Sequence, residues 1–268
     1  MHYDPIKKVL GNVFNQSPFL RILFYKLLDL LLLRAWHIHK ELKNGRPEDD
    51  NNTHILDAGS GFGQYTYYLS GRNKNWNILS VDVKQDQVAD CNEFFQRIGR
   101  HNVLFKTEDL TKFVRVNSFD LILSVDVMEH IEEDVTVFEN FYSSLKKEGM
   151  LLISTPSDQG GSDASDANDE SFIEEHVRNG YNIDEIQNKL RKAGFTRIIA
   201  NYSYGTPGKI SWKLSMKYPM TMLNFSKLFF VILPFYYLLT YPISFLLNYF
   251  DIRLKHSTGT GLIVKAWK

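Results

Sequence analysis

The chain reads Asp57-Ala58-Gly59-Ser60-Gly61-Phe62-Gly63 directly after a short apolar run. Three glycines at that spacing let the backbone turn tightly and approach a ligand closely. A helix starting behind them offers free N–H groups and a positive dipole end to an anionic group such as a carboxylate. The pattern is G-x-G-x-G with Gln64 next, whereas a dinucleotide fingerprint reads G-x-G-x-x-G/A. A second acid, Asp82, ends the apolar run before Val83, where it can hold both hydroxyls of a ribose. A third, Asp109, stands before Leu110, placed to reach an adenine amino group. Three acids after successive apolar runs, with the glycines in the first, describe a nucleoside-like site.

Two histidines could supply acid–base chemistry beside it. His130 follows Ser124-Val125-Asp126-Val127-Met128-Glu129, and His176 lies in Glu175-His176-Val177-Arg178. An oxygen nucleophile needs a nearby group to take its proton, and imidazole suits that task. Each could equally serve structure, His130 by bonding backbone beneath the ligand and His176 by tying down the turn at Tyr181. The other histidines, His37, His39 and His256 among them, read as surface residues.

Positioning these groups requires strands that end at one edge. Short apolar runs alternate with helical patterns through the middle of the chain, which implies βαβ units and a parallel sheet. Strands are predicted at 54–58, 78–83, 103–107, 121–125, 150–154, 196–204 and 262–267. Helices are predicted at 64–70, 87–98 and 135–146, the last stopped by Gly149. A further helix starts at Asn182, with Glu185 as a capping-box partner. Ligands of such sheets bind at the carboxyl ends of the strands.

At this point the chain resembles the class I S-adenosylmethionine-dependent methyltransferases, and most closely the ubiquinone-biosynthesis O-methyltransferase branch. The resemblance rests on 56–63, 81–83, 108–110, 124–131 and 149–156, and covers about 53–200 plus the final strand. It implies an α/β, Rossmann-like seven-stranded sheet of order 3-2-1-4-5-7-6, its last strand antiparallel, and S-adenosyl-L-methionine as cofactor. It further implies that Asp57, Gly59, Gly61 and Gly63 surround the methionine part, with Asp82 and Val83 at the ribose. Asp109 and Leu110 would frame the adenine, while Ser124 and Asp126 would line the floor beside the sulfonium. His130 and His176 are then the candidate catalytic bases. Some relatives use an acid-x-x-Glu-His pattern for Mg²⁺, matched here by Asp126, Glu129 and His130; that is the lesser alternative, and no metal site is expected.

Composition excludes other classes. With 31 basic and 31 acidic residues, nothing global points to nucleic acid. One cysteine, Cys91, allows no intramolecular disulfide and suits a reducing compartment. Residues 1–11 lack the order of a secretory signal, so the expected location is cytoplasmic, peripheral on the inner face of a membrane.

Two segments stand outside the α/β pattern. Residues 19–42 read as one amphipathic helix with Leu20, Phe24, Leu27, Leu28, Leu31, Ala35 and Ile38 on its apolar face. Residues 228–250 carry no charge and follow a stretch holding Lys209, Lys213, Lys217 and Lys227 without an acid. The expected division is therefore an N-terminal helical segment at 1–50, a methyltransferase domain at 51–205 and 258–268, and a basic, apolar insertion at 206–257. Pro234 and Pro242 should break a straight helix, which favours a shallow hairpin in one leaflet over a crossing. The implied acceptor is a small molecule or a lipid-linked, hydrophobic one, with a membrane surface as partner. A helical cap, a dimer interface and a non-catalytic binding protein on the same fold remain alternatives. The acidic stretch 157–175 reads as a lid or as a binder of a cation or polyol.

Overall fold

The computed structural model describes residues 17–44, 53–160 and 177–268. Seven strands form one sheet: β1 (His54–Ala58), β2 (Asn77–Asp82), β3 (Val103–Thr107), β4 (Phe119–Val125), β5 (Leu145–Pro156), β6 (Arg197–Ser203) and β7 (Gly261–Trp267). Their spatial order is β3-β2-β1-β4-β5-β7-β6, with β7 antiparallel to both neighbours. This is the order and strand sense expected from the sequence.

Alternation along β1 explains the layering. Leu56 and Ala58 face a core shared with Ile122, Ile153, Phe138 and Phe141, whereas Ile55 faces Leu121, Leu152, Leu69 and Trp76 on the opposite side. Both faces are covered, as a largely parallel sheet requires. The first core is closed by α5 (Asp134–Ser144) and α6 (Ile183–Lys192), the second by α3 (Gln64–Arg72) and α2 (Leu33–Asn44). A third cluster joins Tyr25 of α1 (Pro18–Leu31) to Val88, Cys91, Phe94 and Phe95 of α4 (Gln85–Arg97).

Several local expectations are corrected. The single helix over 19–42 is two, because Leu32 takes an extended conformation (φ −87°, ψ 111°) between α1 and α2. Its buried face is also different: Arg21 and Tyr25 are buried in α1, while Leu23, Leu27 and Leu30 are exposed. Arg21 can be buried because Asp90, Tyr25 and the Phe62 carbonyl satisfy its guanidinium. Helix α5 stops at Ser144 and Gly149 falls inside β5, since Leu145 is drawn into pairing with Phe119. At α6 the Asn182 side chain caps the Asp184 amide, but Glu185 turns to Lys189 at 2.7 Å instead of reaching back.

The insertion forms two antiparallel arms. The first is α7 (Thr206–Trp212), a π-helical turn at Lys213–Lys217, and α8 (Tyr218–Phe225); the second is α9 (Phe229–Asp251). The two prolines do not break α9, which runs through both. Each removes a main-chain bond, a cost of about 3 kcal/mol, while the segment between them is bonded to the opposite arm. Pro219, which lacks an N–H, leaves the Leu214 and Ser215 carbonyls of the π turn to accept from the Tyr236 and Tyr237 hydroxyls at 2.7 and 2.8 Å.

Candidate active site

The site begins where β1 ends. Gly59, Gly61 and Gly63 have φ values of 81°, 52° and 85°, a left-handed path that side chains with a Cβ rarely take. A Cβ on Gly59 would also lie 2.2 Å from Val127 Cγ2, so the β1 loop and the loop after β4 interlock here. The Gly59 and Ser60 amides donate to the Val81 carbonyl, both at 2.9 Å.

Asp82 holds the loop from the next strand. Its Oδ2 accepts from the Gly61 amide at 2.8 Å and its Oδ1 from the Lys84 amide at 3.0 Å. A carboxylate has about four acceptor positions, so both oxygens retain capacity toward two further hydroxyls. Val83 beside it is 65% exposed, an apolar surface at the mouth of the loop. Across the β3 end, Asp109 takes Thr111 N–H and O–H and lies near Lys112, which hold its carboxyl below the ordinary range. Leu110 next to it is buried.

Asp57 lies beneath the loop, fully buried. Its Oδ2 accepts from Thr66 Oγ1 at 2.5 Å. Burial pushes its carboxyl up to about 6; the Thr66 bond opposes that shift and the charge of Asp82 adds to it. The sign of the linkage follows. A raised carboxyl stabilises the folded chain below its ordinary value of 3.8, and the contribution is lost as pH rises through about 6. Lowering the pH from roughly 7 to 5 should therefore raise the unfolding free energy of the ligand-free wild type more than that of Asp57→Asn. Asp29, also pushed up to about 6 by burial despite its Gln64 bond, supplies part of the remaining slope. Urea titrations at the two pH values test this; identical slopes would show that Asp57 is not the titrating group.

On the β4 side, the Ser124 hydroxyl is buried without a hydrogen-bond partner, and so is that of Ser60 in the glycine loop. Two unpartnered buried hydroxyls near the carboxyl edge fit a polar ligand there, since such groups are otherwise costly. Asp126, at φ 51°, pairs with Arg34 of α2. The Arg34 amide in turn donates to the Tyr204 hydroxyl at 2.9 Å, at the end of β6.

The three residues of the Mg²⁺ alternative do not converge. Asp126 is engaged by Arg34, Glu129 is buried against Thr155 Oγ1 at 3.1 Å, and the His130 side chain is exposed. No group of three His, Cys, Asp or Glu able to hold a metal occurs among the described residues. His130 lies on a short 3₁₀ turn, Met128–His130, at the carboxyl edge of β4. His176 and residues 161–175 of the acidic stretch lie outside the described residues.

Sequence reasoning named Glu129 only as a possible Mg²⁺ ligand and missed two other parts of this region. Burial raises the Glu129 carboxyl, against the opposing effects of its own backbone, His130, Thr155 and Arg34. The first missed part is Arg34, hidden in an amphipathic pattern. The second is the strap formed by α1, in which Arg21 Nη2 donates to the Phe62 carbonyl at 2.9 Å and the Tyr25 hydroxyl donates to the same oxygen. Tyr25 also stacks on Phe62, with ring centroids 5.9 Å apart. Arg21 and Tyr25 one helical turn apart were the available signal.

The histidines read as surface are also corrected. His37 is buried and bonds Asp251 at 2.8 Å, His256 lies 3.3 Å from the same carboxylate, and His39 stacks on Tyr68 at 3.6 Å. Burial, aided by Lys43 and Arg72, lowers His39 to about 4. His37 and His256 are enclosed because α2 meets the end of α9, and His39 because α2 packs on α3, contacts that local periodicity does not encode.

Comparison with known proteins accords with this geometry. A family model described as a methyltransferase domain matches residues 49–201. Over 151 residues the chain is 30% identical to phosphoethanolamine N-methyltransferase 1 of Triticum aestivum, covering 54% of this chain and 29% of that protein. It is 29% identical over 102 residues to malonyl-[acyl-carrier protein] O-methyltransferase 2 of Ilyobacter polytropus, covering 38% of each chain. The chain thus spans less than a third of the length of its plant relative. Among solved structures, Haemonchus contortus phosphoethanolamine N-methyltransferase 2 in complex with S-adenosyl-L-methionine superposes with a TM-score of 0.62. Identity is 19%, and the match covers 91% of this chain and 60% of that one. The chain belongs to the methyltransferase-domain family and carries the class I S-adenosylmethionine-dependent fold.

Proposed function

We propose that this protein transfers a methyl group from S-adenosyl-L-methionine to an oxygen atom of a hydrophobic or lipid-linked acceptor at the cytosolic face of a membrane. The observation that carries the reading is the glycine loop, left-handed at three positions, interlocked with Val127 and held by Asp82. When bound, the cofactor supplies an electrophilic methyl group on a sulfonium.

The chain's own residues then have defined tasks. Asp82, beside Val83, would accept from the ribose hydroxyls, with Asp109 and Leu110 around the adenine. Ser60 and Ser124 would offer their unpartnered hydroxyls to the methionine end, and the α3 amino terminus would offer free N–H groups to its carboxylate. The Asp126–Arg34 pair closes one side and fixes α2 beside the floor. Displacement at a sulfonium gains much of its rate from positioning, which suits a loop strapped by Arg21 and Tyr25. His130, exposed at the β4 edge, is the first candidate to accept the acceptor's proton. His176 is the second candidate for that proton.

The apolar acceptor is supported by α2, which joins the site to the insertion: Trp36 and Phe245 rings lie 5.0 Å apart. A second reading, a soluble methyltransferase with the insertion as a cap, is favoured by the relative named for phosphoethanolamine, a small polar acceptor methylated on nitrogen.

Calorimetric titration with S-adenosylmethionine, S-adenosylhomocysteine and NADH tests the cofactor. The first two should bind, and binding of NADH alone would sink the proposal. Labelled methyl transfer into a lipid extract and into the matching aqueous extract tests the acceptor. Label confined to the aqueous fraction would favour the second reading.

A further inference from the structure

Helix α9 is built inside out. Its buried residues are polar, Ser244, Asn248 and Asp251. Val231, Phe235, Leu239, Ile243, Leu246 and Phe250 form an exposed stripe at helical spacing, with Val231 at 71% and Leu239 at 75% exposure. In a water-soluble helix these roles are reversed. The polar face is bonded to the first arm: Ser211 Oγ donates to Asn248 Oδ1 at 2.6 Å and lies 3.2 Å from the Ser244 carbonyl, and Asp251 accepts from the Gly208 amide at 2.9 Å. The arrangement is therefore held in place from within, and its apolar side is left unpartnered among the described residues.

We propose that this face of α9 lies in the plane of one leaflet of an anionic bilayer, as a monotopic docking surface. The helix has 23 residues, about 34 Å of length, enough to cross a bilayer core. Topology argues against crossing. Ser203 pairs with Gly261, so both ends of the insertion start from the same edge of the sheet. The antiparallel first arm carries Lys209, Lys213 and Lys217, which a second crossing would draw into hydrocarbon. Lying flat, α9 buries its stripe while polar contacts on its other side stay with the protein.

Charge selects the occupant. From 208 to 227 there are four lysines and no acid, and Arg253 and Lys255 follow α9 at its other end. Basic groups at both ends of a flat apolar helix suit phosphate headgroups at one level. Tyr218, exposed on the first arm, and Tyr249 add interface-seeking rings. A second copy of the chain would bring the same positive charge against itself. The inference rests on the lipid-linked acceptor reading, since docking presents α2 and the site to molecules held in that leaflet.

The test is flotation of the full chain on phosphatidylcholine vesicles with and without phosphatidylglycerol, without S-adenosylmethionine. Wild type should float, more so with phosphatidylglycerol. The triple variant Val231→Glu, Phe235→Glu, Leu239→Glu should lose at least about 100-fold in partitioning, because three apolar side chains leave the bilayer. These side chains are exposed, so the variant's melting curve and S-adenosylmethionine affinity should match wild type. Leu239→Trp, read with brominated lipids, should be quenched more by bromines near the headgroup than by bromines near the chain end. Wild type remaining in the dense fraction with both vesicle types would overturn the proposal. So would stronger quenching from the chain end, or a wild-type dimer that the triple variant loses while neither floats. Flotation needs no cofactor, so its failure and failure of the methyltransferase reading are separable.

Discussion

Asp82→Ala should weaken S-adenosylmethionine binding by about 100- to 1,000-fold, from the loss of two charge-assisted hydrogen bonds at roughly 1.5–3 kcal/mol each, less what water recovers. Two effects combine. The carboxylate that would accept from the ribose disappears, and so does the acceptor for the Gly61 amide at 2.8 Å. The left-handed loop then loses its tie to β2, and its ligand-binding conformation becomes one of several. Asp82→Asn should fall between, since its amide oxygen can still accept from Gly61 but carries no charge. Calorimetry on the three proteins checks the order. Equal affinities would remove Asp82 from the ribose and leave it a purely structural residue of the loop.

Asp251→Ala should cost about 3–5 kcal/mol of unfolding free energy, the range for removing one partner from a buried charged network. This carboxylate is fully buried at the base of α9. It accepts from His37 at 2.8 Å, Gly208 N–H at 2.9 Å and Tyr204 N–H at 3.2 Å, with His256 3.3 Å away. Alanine strands all of these donors at once. A typical domain has only about 5–15 kcal/mol in total, so the insertion should come loose first and be cut by protease within 206–257. Urea titration with limited proteolysis measures both effects.

The pH dependence of the same residue has the opposite sign to that of Asp57. Burial pushes the Asp251 carboxyl up, but His37, the charge of His256 and the Gly208 amide outweigh it and hold the group below its ordinary value. Its contribution is therefore present above the ordinary value of 3.8 and is lost as pH falls through the lower folded value. Asp251→Ala should thus show its full deficit near neutrality and converge with wild type only at strongly acid pH.

The sheet was legible because its signals are local. Ile55-Leu56-Asp57-Ala58 is a short, mostly apolar run followed directly by glycines, and a strand buried on both faces looks the same in any context. The glycine loop was legible for a related reason: positive φ at three alternate positions restricts the residue type, so the requirement is written in the sequence itself. His130 was placed correctly along the chain, but its exposure, and the burial of Glu129 one residue earlier, depend on how a 3₁₀ turn leaves β4.

The helices outside the sheet were read less well, and for one cause. Hydropathy assigns a helix an inner face from its apolar residues, whereas α1 and α9 both bury polar ones. Arg21 is inside because Asp90 on α4 and the Phe62 carbonyl meet it there. Asp251 is inside because His37, from a helix 214 residues away in the chain, meets it there. Proline rules likewise failed at Pro234 and Pro242, through which α9 runs while Tyr236 and Tyr237 between them bond the opposite arm.

The amino-acid sequence by itself therefore determined the strands, their order by resemblance, the glycine loop and the three acids after successive strands. These depend on residue type and near-neighbour spacing. Only the tertiary structure decided that Arg34 faces Asp126, that Arg21 and Tyr25 strap the glycine loop, and that α9 turns its apolar side outward. Those outcomes depend on which distant partner satisfies a buried charge, and no local pattern carries that information.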